Sequence, residues 1–256
     1  MFWAIDAGRI DTRGLELEQV VSDIQTLNEW ALEGRLEVSA ISLGAYPHVA
    51  DRYVLLPHGA SLGLGYGPIV VTREPLDLDA LRRAEIAIPG RLTTAYLVLR
   101  LALGDDLQVR ELPFDAILDE VASGRAEAGL VIHEGQLTYG AAGLVKVLDL
   151  GEWWLGETEL PLPLGVVVAR RDLGDRLGVV SVVLGEAIAA GLEHRAEALA
   201  YAGRFGRGID DETTDRFVGM YVNELTADYG DEGRRAVREL LRRSGTGVEE
   251  QFVENG

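Results

Sequence analysis

The 256-residue chain contains no cysteine. That absence removes disulfides, zinc–thiolate sites and thiol nucleophiles together. Lysine is almost missing too: Lys146 is the only one, and every other basic residue is arginine. A Schiff-base or pyridoxal-type mechanism would therefore have a single candidate residue. Histidine is scarce, with four in the chain, so few groups can do acid–base work near neutral pH. Positive charge is in deficit: 24 Lys and Arg stand against 42 Asp and Glu, a net charge of -18. That balance argues against nucleic acid and against an anionic membrane surface, because nothing offsets phosphate repulsion. No apolar run reaches the roughly 20 residues that span a bilayer. The opening MFWAIDAGRIDTRG has no basic segment leading into a long apolar stretch, so no signal peptide is read there and a cytoplasmic protein is expected. No His/Asp/Glu spacing suggests a metal site, and no metal or cofactor is expected.

What is present is an alternation of strand-forming and helix-forming segments. Phe2, Trp3, Ala4 and Ile5 read as a short apolar helix stopped at Gly8. Leu15 to Val21 alternates apolar and polar residues as a strand does. Ser22 or Asp23 caps a helix through Glu33, with Gly34 as its stop. Short strands follow at Val38–Ile41 and Tyr53–Leu56, with a brief helix between them. HGASLGLGYG, from His58 to Gly67, resembles a nucleotide fingerprint only superficially, because a strand and not a helix comes after it. From Asp77 to Leu150 strands and helices alternate, which predicts a mostly parallel sheet. After Asp172 the pattern is helical, including Glu212 to Glu224, and the polar end SGTGVEEQFVENG is expected to fray.

The runs GPIVVTRE and PLGVVVARRD look alike, each with glycine or proline ahead of β-formers and a basic residue behind. They read as two strands that carry the chain into a second lobe and back. The expected layout is an α/β clamp: residues 1–72 with 170–256 as one lobe, 73–169 as the other, and ligand in the cleft between them.

Three groups of residues could carry chemistry. Leu130-Val131-Ile132 ends on His133, a titratable ring at the carboxyl end of a buried strand, where open α/β sheets place ligand chemistry. A lone histidine there can equally be a hydrogen-bonded structural residue. PGRLTTAY (Pro89 to Tyr96) leads from a strand into a helix, with Thr93 and Thr94 at its unpaired N–H groups. Such a terminus suits a carboxylate or phosphate, or one threonine is simply the cap. Ser42 ends a strand and Asn28 sits on the helix before it; Ser42 lacks a G-x-S-x-G context and is read as a ligand hydrogen-bonder. His48 and His194 read as structural. Trp153 and Trp154 either wall the cleft or plug the hinge.

The runs DIQTLNEWALEGRLEVSAISLGAY, GPIVVTRE, IAIPGRLTTAYLVLRL, GRAEAGLVIHEGQLTY, GLVKVLDLGEWW and LPLPLGVVVARRDLG strongly resemble the 1,4-dihydroxy-6-naphthoate synthases of the futalosine route to menaquinone. The resemblance covers nearly the whole chain in order, through YVNELTADYGDEGRRAV. It implies a periplasmic-binding-protein-like fold of the type with two crossing strands, used as an enzyme. It implies a carbon–carbon lyase acting on cyclic dehypoxanthinylfutalosine, which would yield 1,4-dihydroxy-6-naphthoate and a sugar-derived three-carbon fragment. By the same resemblance His133 is the base, Thr93, Thr94 and Ala95 hold the substrate carboxylate, and Ser42 and Asn28 face the same cleft. The partner is a small-molecule substrate, and the protein a monomer or homodimer. Family members begin with a strand and a loop resembling C-P-N-D-T-F. This chain lacks both, so the sequence as given is expected to be impaired and an upstream extension to restore it. Two other readings stand beside this one: the chorismate dehydratase of the same pathway, and a non-catalytic protein that binds a small carboxylate.

Overall fold

The structure, a computed structural model, describes residues 2–205, 215 and 218–253. Helices α1 (Phe2–Asp6) and α2 (Ile24–Glu33) precede strand β1 (Val38–Ser42), a 3-10 turn at Leu43–His48, β2 (Tyr53–Leu55) and β3 (Ser61–Gly63). Then come β4 (Ile69–Thr72), α3 (Leu78–Arg83), β5 (Glu85–Ile88), α4 (Thr94–Leu103), β6 (Gln108–Glu111), α5 (Ile117–Ala122) and β7 (Ala128–Val131). A short α6 (Gly135–Thr138), β8 (Val145–Asp149), α7 (Leu150–Thr158) and β9 (Leu162–Arg170) follow. Among the described residues the chain continues with α8 (Arg176–Glu193), α9 (Arg195–Ala202), α10 (Glu224–Ala227) and α11 (Gly230–Arg243). Of the helix expected over Glu212–Glu224, residues 212–214, 216 and 217 lie outside the described residues; 218–221 are helical, and the helix is interrupted at Val222 and Asn223 before α10.

Local signals set several of these boundaries. The Asp23 carboxylate accepts the Thr26 N–H at 3.1 Å and starts α2, and Gly34 ends it in the left-handed conformation at φ 70°. Thr93 caps α4 by accepting the Tyr96 N–H at 3.2 Å.

Two sheets form. In the first, β9 is central and pairs antiparallel with β1, β2 and β3. The second has the order β6-β5-β7-β4-β8. There β5 runs parallel to β6 and β7, whereas β4 runs antiparallel to β7 and β8. The expected mostly parallel arrangement is thus confined to three strands joined by helical crossovers, since parallel neighbours need such crossovers.

The two crossing strands also differ from expectation. Ile69–Thr72, assigned to the first lobe by the sequence, pairs wholly within the second sheet. Leu164–Ala169, assigned to the second, lies in the first sheet as part of β9. Each strand takes its membership from the partners it meets after the crossing. The crossings themselves are the glycine-rich stretch 64–68 and the stretch 159–161. Gly63 and Gly151 pack so closely on the Tyr66 backbone that a Cβ at either would fall on its carbonyl group.

β9 is apolar on both faces, as a fully covered strand must be. Val166 and Val168 join the main core with Ile41, Tyr46, Tyr53 and Leu55, and with Val237, Leu240 and Leu241 of α11. Val167 and Ala169 face the other way, onto Val180 and Leu184 of α8. The same alternation sends Val70 of β4 into the main core and Ile69 and Val71 against Ile117 and Val121 of α5.

Two terminal expectations fail. Leu15–Val21 forms no strand: alternation needs a neighbouring strand to pair with, and Leu17, Val20 and Val21 are left exposed. The C-terminal stretch, as far as the described residues go, is docked at residues 251–253 and not frayed. The Leu55 N–H donates to the Gln251 carbonyl and the Val253 N–H to the Leu55 carbonyl, both at 2.8 Å. Phe252 stacks edge-on against Tyr229 at 5.3 Å beneath the Arg234 guanidinium. Trp154 proves to be a plug, fully buried with its Nε1 donating to the Pro161 carbonyl at 3.1 Å.

Candidate active site

The sequence-predicted residues fall into two groups of neighbours. The first brings Asn28, Ser42, Thr93 and Thr94 together. Asn28 is fully buried on α2, and its amide clasps the end of β1: Oδ1 accepts the Ser42 N–H at 2.8 Å and Nδ2 donates to Ser42 Oγ at 3.1 Å. Two residues on, a Cβ at Gly44 would lie 3.2 Å from the Thr93 carbonyl oxygen. The Thr94 hydroxyl donates to the Leu164 carbonyl at 2.6 Å and accepts the Gly44 N–H at 3.0 Å. Thr93 Oγ1 donates to the Gly90 carbonyl at 2.7 Å while capping α4. Both hydroxyls are therefore committed to the fold. What remains for an anion at this terminus is the backbone N–H of Thr94 and Ala95, which the cap does not use, together with the positive end of α4.

This cluster joins the two sheets. Thr94 opens a helix of the second sheet, while Leu164 lies on β9 and Gly44 follows β1 of the first. Gly90, at φ 150°, lets the same loop press on the Gln25 side chain of α2.

The second group surrounds His133. β7 ends at Val131, and His133 turns the chain away with φ 56°, one of three non-glycine residues at positive φ among those described. Its ring is half-buried and meets Phe114 edge-on at 4.9 Å. The Gln136 N–H donates to the His133 carbonyl at 3.2 Å. The Gln136 side chain is best satisfied with its nitrogen toward the Gly67 carbonyl at 2.5 Å and its oxygen accepting the His133 N–H at 3.2 Å. The Tyr221 hydroxyl lies 2.7 Å from the same amide, and burial pushes that phenol well above its ordinary range. Sequence reasoning missed Phe114, Gln136 and Tyr221. The only local hint was a polar residue three positions after His133, where a turn closes.

A groove of about 520 Å³ opens nearby, bounded by Asp23 at the start of α2 and Thr26 on it, by Pro89, and by Leu112, Pro113 and Phe114; Asn28, Ser42, Thr93, Thr94 and His133 do not themselves line it. Phe114 is its link to His133, and α2 its link to Asn28. A slightly larger depression, of about 590 Å³, lies at Thr72, Arg83 and Glu127. Thr72 pairs with Ala128, so that depression is at the opposite end of β7 from His133.

The cations near the threonine loop are engaged. Arg91 Nε donates to Glu111 at 2.9 Å, and Arg110 Nε to Glu85 at 3.0 Å. Lys146 is held by Asp149 at 2.9 Å and Glu152 at 3.3 Å. His58 is buried against α8 beside Gly185, and burial holds its imidazole below the ordinary value. His194 packs on Trp3 at 5.4 Å. Among the described residues no cluster of His, Asp or Glu is arranged to hold a metal ion, and no single helix is long and apolar enough to cross a membrane.

Comparison with known proteins gives a consistent set of relatives. A sequence profile described as menaquinone biosynthesis matches residues 1–245. A 1,4-dihydroxy-6-naphthoate synthase of Thermus thermophilus is 46% identical over 242 residues, covering 94% of this chain and 88% of that one. A protein of the same name from Streptomyces coelicolor is 38% identical over 234 residues, covering 89% and 82%. A crystal structure from Archaeoglobus fulgidus superposes with a TM-score of 0.88 at 42% identity, covering 95% of this chain and 91% of that one. A Candida albicans protein described as having the generic periplasmic binding protein fold superposes at 0.64 with 14% identity, covering 99% and 92%. At that identity the likeness concerns the fold alone.

Proposed function

The chain belongs to the menaquinone-biosynthesis family, and from that premise we propose that it is a carbon–carbon lyase converting cyclic dehypoxanthinylfutalosine to 1,4-dihydroxy-6-naphthoate, with His133 as general base. The periplasmic-binding-protein-like fold serves here as an enzyme. It acts on a small molecule, and we assign it to the cytoplasm.

The observation that carries the reading is the position of His133. It lies two residues beyond the end of a buried strand, its ring against Phe114, which borders a groove that also reaches Pro89 of the loop leading into α4. Cleaving a carbon–carbon bond while a ring becomes aromatic requires removal of a proton from a hydroxyl or an acidic carbon. An imidazole suits that step near neutral pH. The substrate carboxylate would take the N–H groups of Thr94 and Ala95, fixing the ring relative to the base. Asn28 and Ser42 hold the end of β1 against this terminus, and Ser42 Oγ keeps its own proton available to a ligand. Closing the two sheets over the ligand would exclude water.

The test is incubation of purified protein with the cyclic substrate, read by the naphthoate chromophore. Turnover supports the reading. Turnover of chorismate in its place, or binding of the cyclic substrate too weak to detect, overturns it.

A further inference from the structure

We propose that Gln136 is a positioning residue for His133, holding the imidazole-bearing turn through both ends of the His133 peptide. This rests on the reading of His133 as the base and adds a residue that acts through it.

His133 adopts a left-handed backbone at φ 56°. A β-carbon makes that conformation unfavourable, so it persists only where the surroundings over-determine it. Gln136 supplies the determination. Its backbone N–H donates to the His133 carbonyl at 3.2 Å, and its side-chain oxygen accepts the His133 N–H at 3.2 Å. One residue thus closes a reciprocal pair of bonds around another, three positions away. The amide orientation is itself fixed, because the reverse would set the oxygen against the Gly67 carbonyl, 2.5 Å away.

Gly67 belongs to the segment that crosses from the first sheet to the second. Tyr221 comes from the C-terminal helical region and reaches the same amide at 2.7 Å, with its ring edge-on to Tyr66 at 5.5 Å. Gln136 therefore anchors His133 to two parts of the chain outside β7. Phe114, edge-on to the imidazole, limits how the ring turns. A glutamine that served the turn alone would need only the bonds to His133. The extra anchors fix where the turn sits relative to the sheet crossing that borders the cleft.

The experiment compares wild type with Gln136→Leu, Gln136→Glu and His133→Asn, by steady-state kinetics on the cyclic substrate and by NMR titration of the imidazole signals. The chain has four histidines, and His133→Asn identifies the signal of interest. Gln136→Leu is expected to lower kcat about 100-fold, the scale of a small misplacement of a reacting group. KM should stay within about threefold, and the His133 titration should shift. Gln136→Glu keeps the shape and the acceptor for the His133 N–H but loses the donor to the Gly67 carbonyl, so it removes the anchor to the sheet crossing while the bond to the turn stays, and its added charge should raise the His133 titration midpoint. If the leucine variant does not fold, Tyr221→Phe supplies the answer: it removes one anchor of the amide, leaves Gln136 in place, and should lower kcat and shift the His133 titration in the same direction as the leucine variant. Unchanged His133 titration in the folded variants, or a change in KM alone, would overturn the assignment. Failure of the base itself would appear elsewhere, as retained turnover in His133→Asn.

Discussion

Thr94→Val asks whether a hydroxyl at the α4 terminus belongs to the ligand or to the protein. Thr94 is 2% exposed, so valine keeps its shape and leaves no cavity. What disappears is a pair of hydrogen bonds, one to the Leu164 carbonyl at 2.6 Å and one from the Gly44 N–H at 3.0 Å. A buried backbone group left unpaired costs about 1–3 kcal/mol. Both partners here are part-buried, so each falls near the low end, and the sum is about 2 kcal/mol. In a chain of this size each kcal/mol moves Tm by about 2–4 °C, so a fall of roughly 4–8 °C is expected. Thermal or urea unfolding measures it, and a substrate titration alongside reports affinity. A variant with unchanged Tm and much weaker substrate binding would refute the reasoning, because the hydroxyl would then have been free for the ligand.

Two further substitutions test other parts of the account. Gly151→Ala should destabilise by about 3 kcal/mol or more, because its Cβ would fall on the Tyr66 carbonyl group where the chain crosses between sheets. Gly156→Ala on the same helix meets nothing within 4 Å and should be neutral or slightly stabilising, so equal Tm values for the two would contradict the packing described. His58 should make stability depend on pH with a definite sign. Its folded value is lowered by burial, so the unfolded chain takes up the proton first. Its contribution is complete above the ordinary histidine value near 6.5, declines as pH falls below it, and levels off beneath the folded value. His58→Phe should flatten that slope in urea midpoints measured from pH 7.5 to 5; an unchanged slope would remove His58 as its source.

The parts of this protein legible from sequence are those decided within a few residues. Asp23, Gly34 and Thr93 mark helix ends because a cap is made by neighbours along the chain. The all-apolar runs of β4 and β9 declare strands covered on both faces, yet not which sheet covers them, since membership depends on partners as distant as Val166 from Ile41. Leu15–Val21 carries the alternation of a strand but finds no partner among the described residues. Asn28 and Ser42 were both expected at the cleft, but their grip on each other spans 14 positions and has no local signature. The hydroxyls of Thr93 and Thr94 looked available from sequence because their acceptors, Gly90 and Leu164, become neighbours only on folding. His133 was visible through its place after an apolar strand. The positive φ that turns its ring, and the Gln136 contacts that hold it there, were not.

The most direct test of the central claim is kcat for His133→Asn on cyclic dehypoxanthinylfutalosine. Asparagine tolerates the left-handed backbone at φ 56°, so the turn is kept while the imidazole is removed. If His133 takes the proton, kcat falls about 100- to 10,000-fold with the fold intact, the range a positioned acid–base group contributes. Turnover at the wild-type rate would contradict the account.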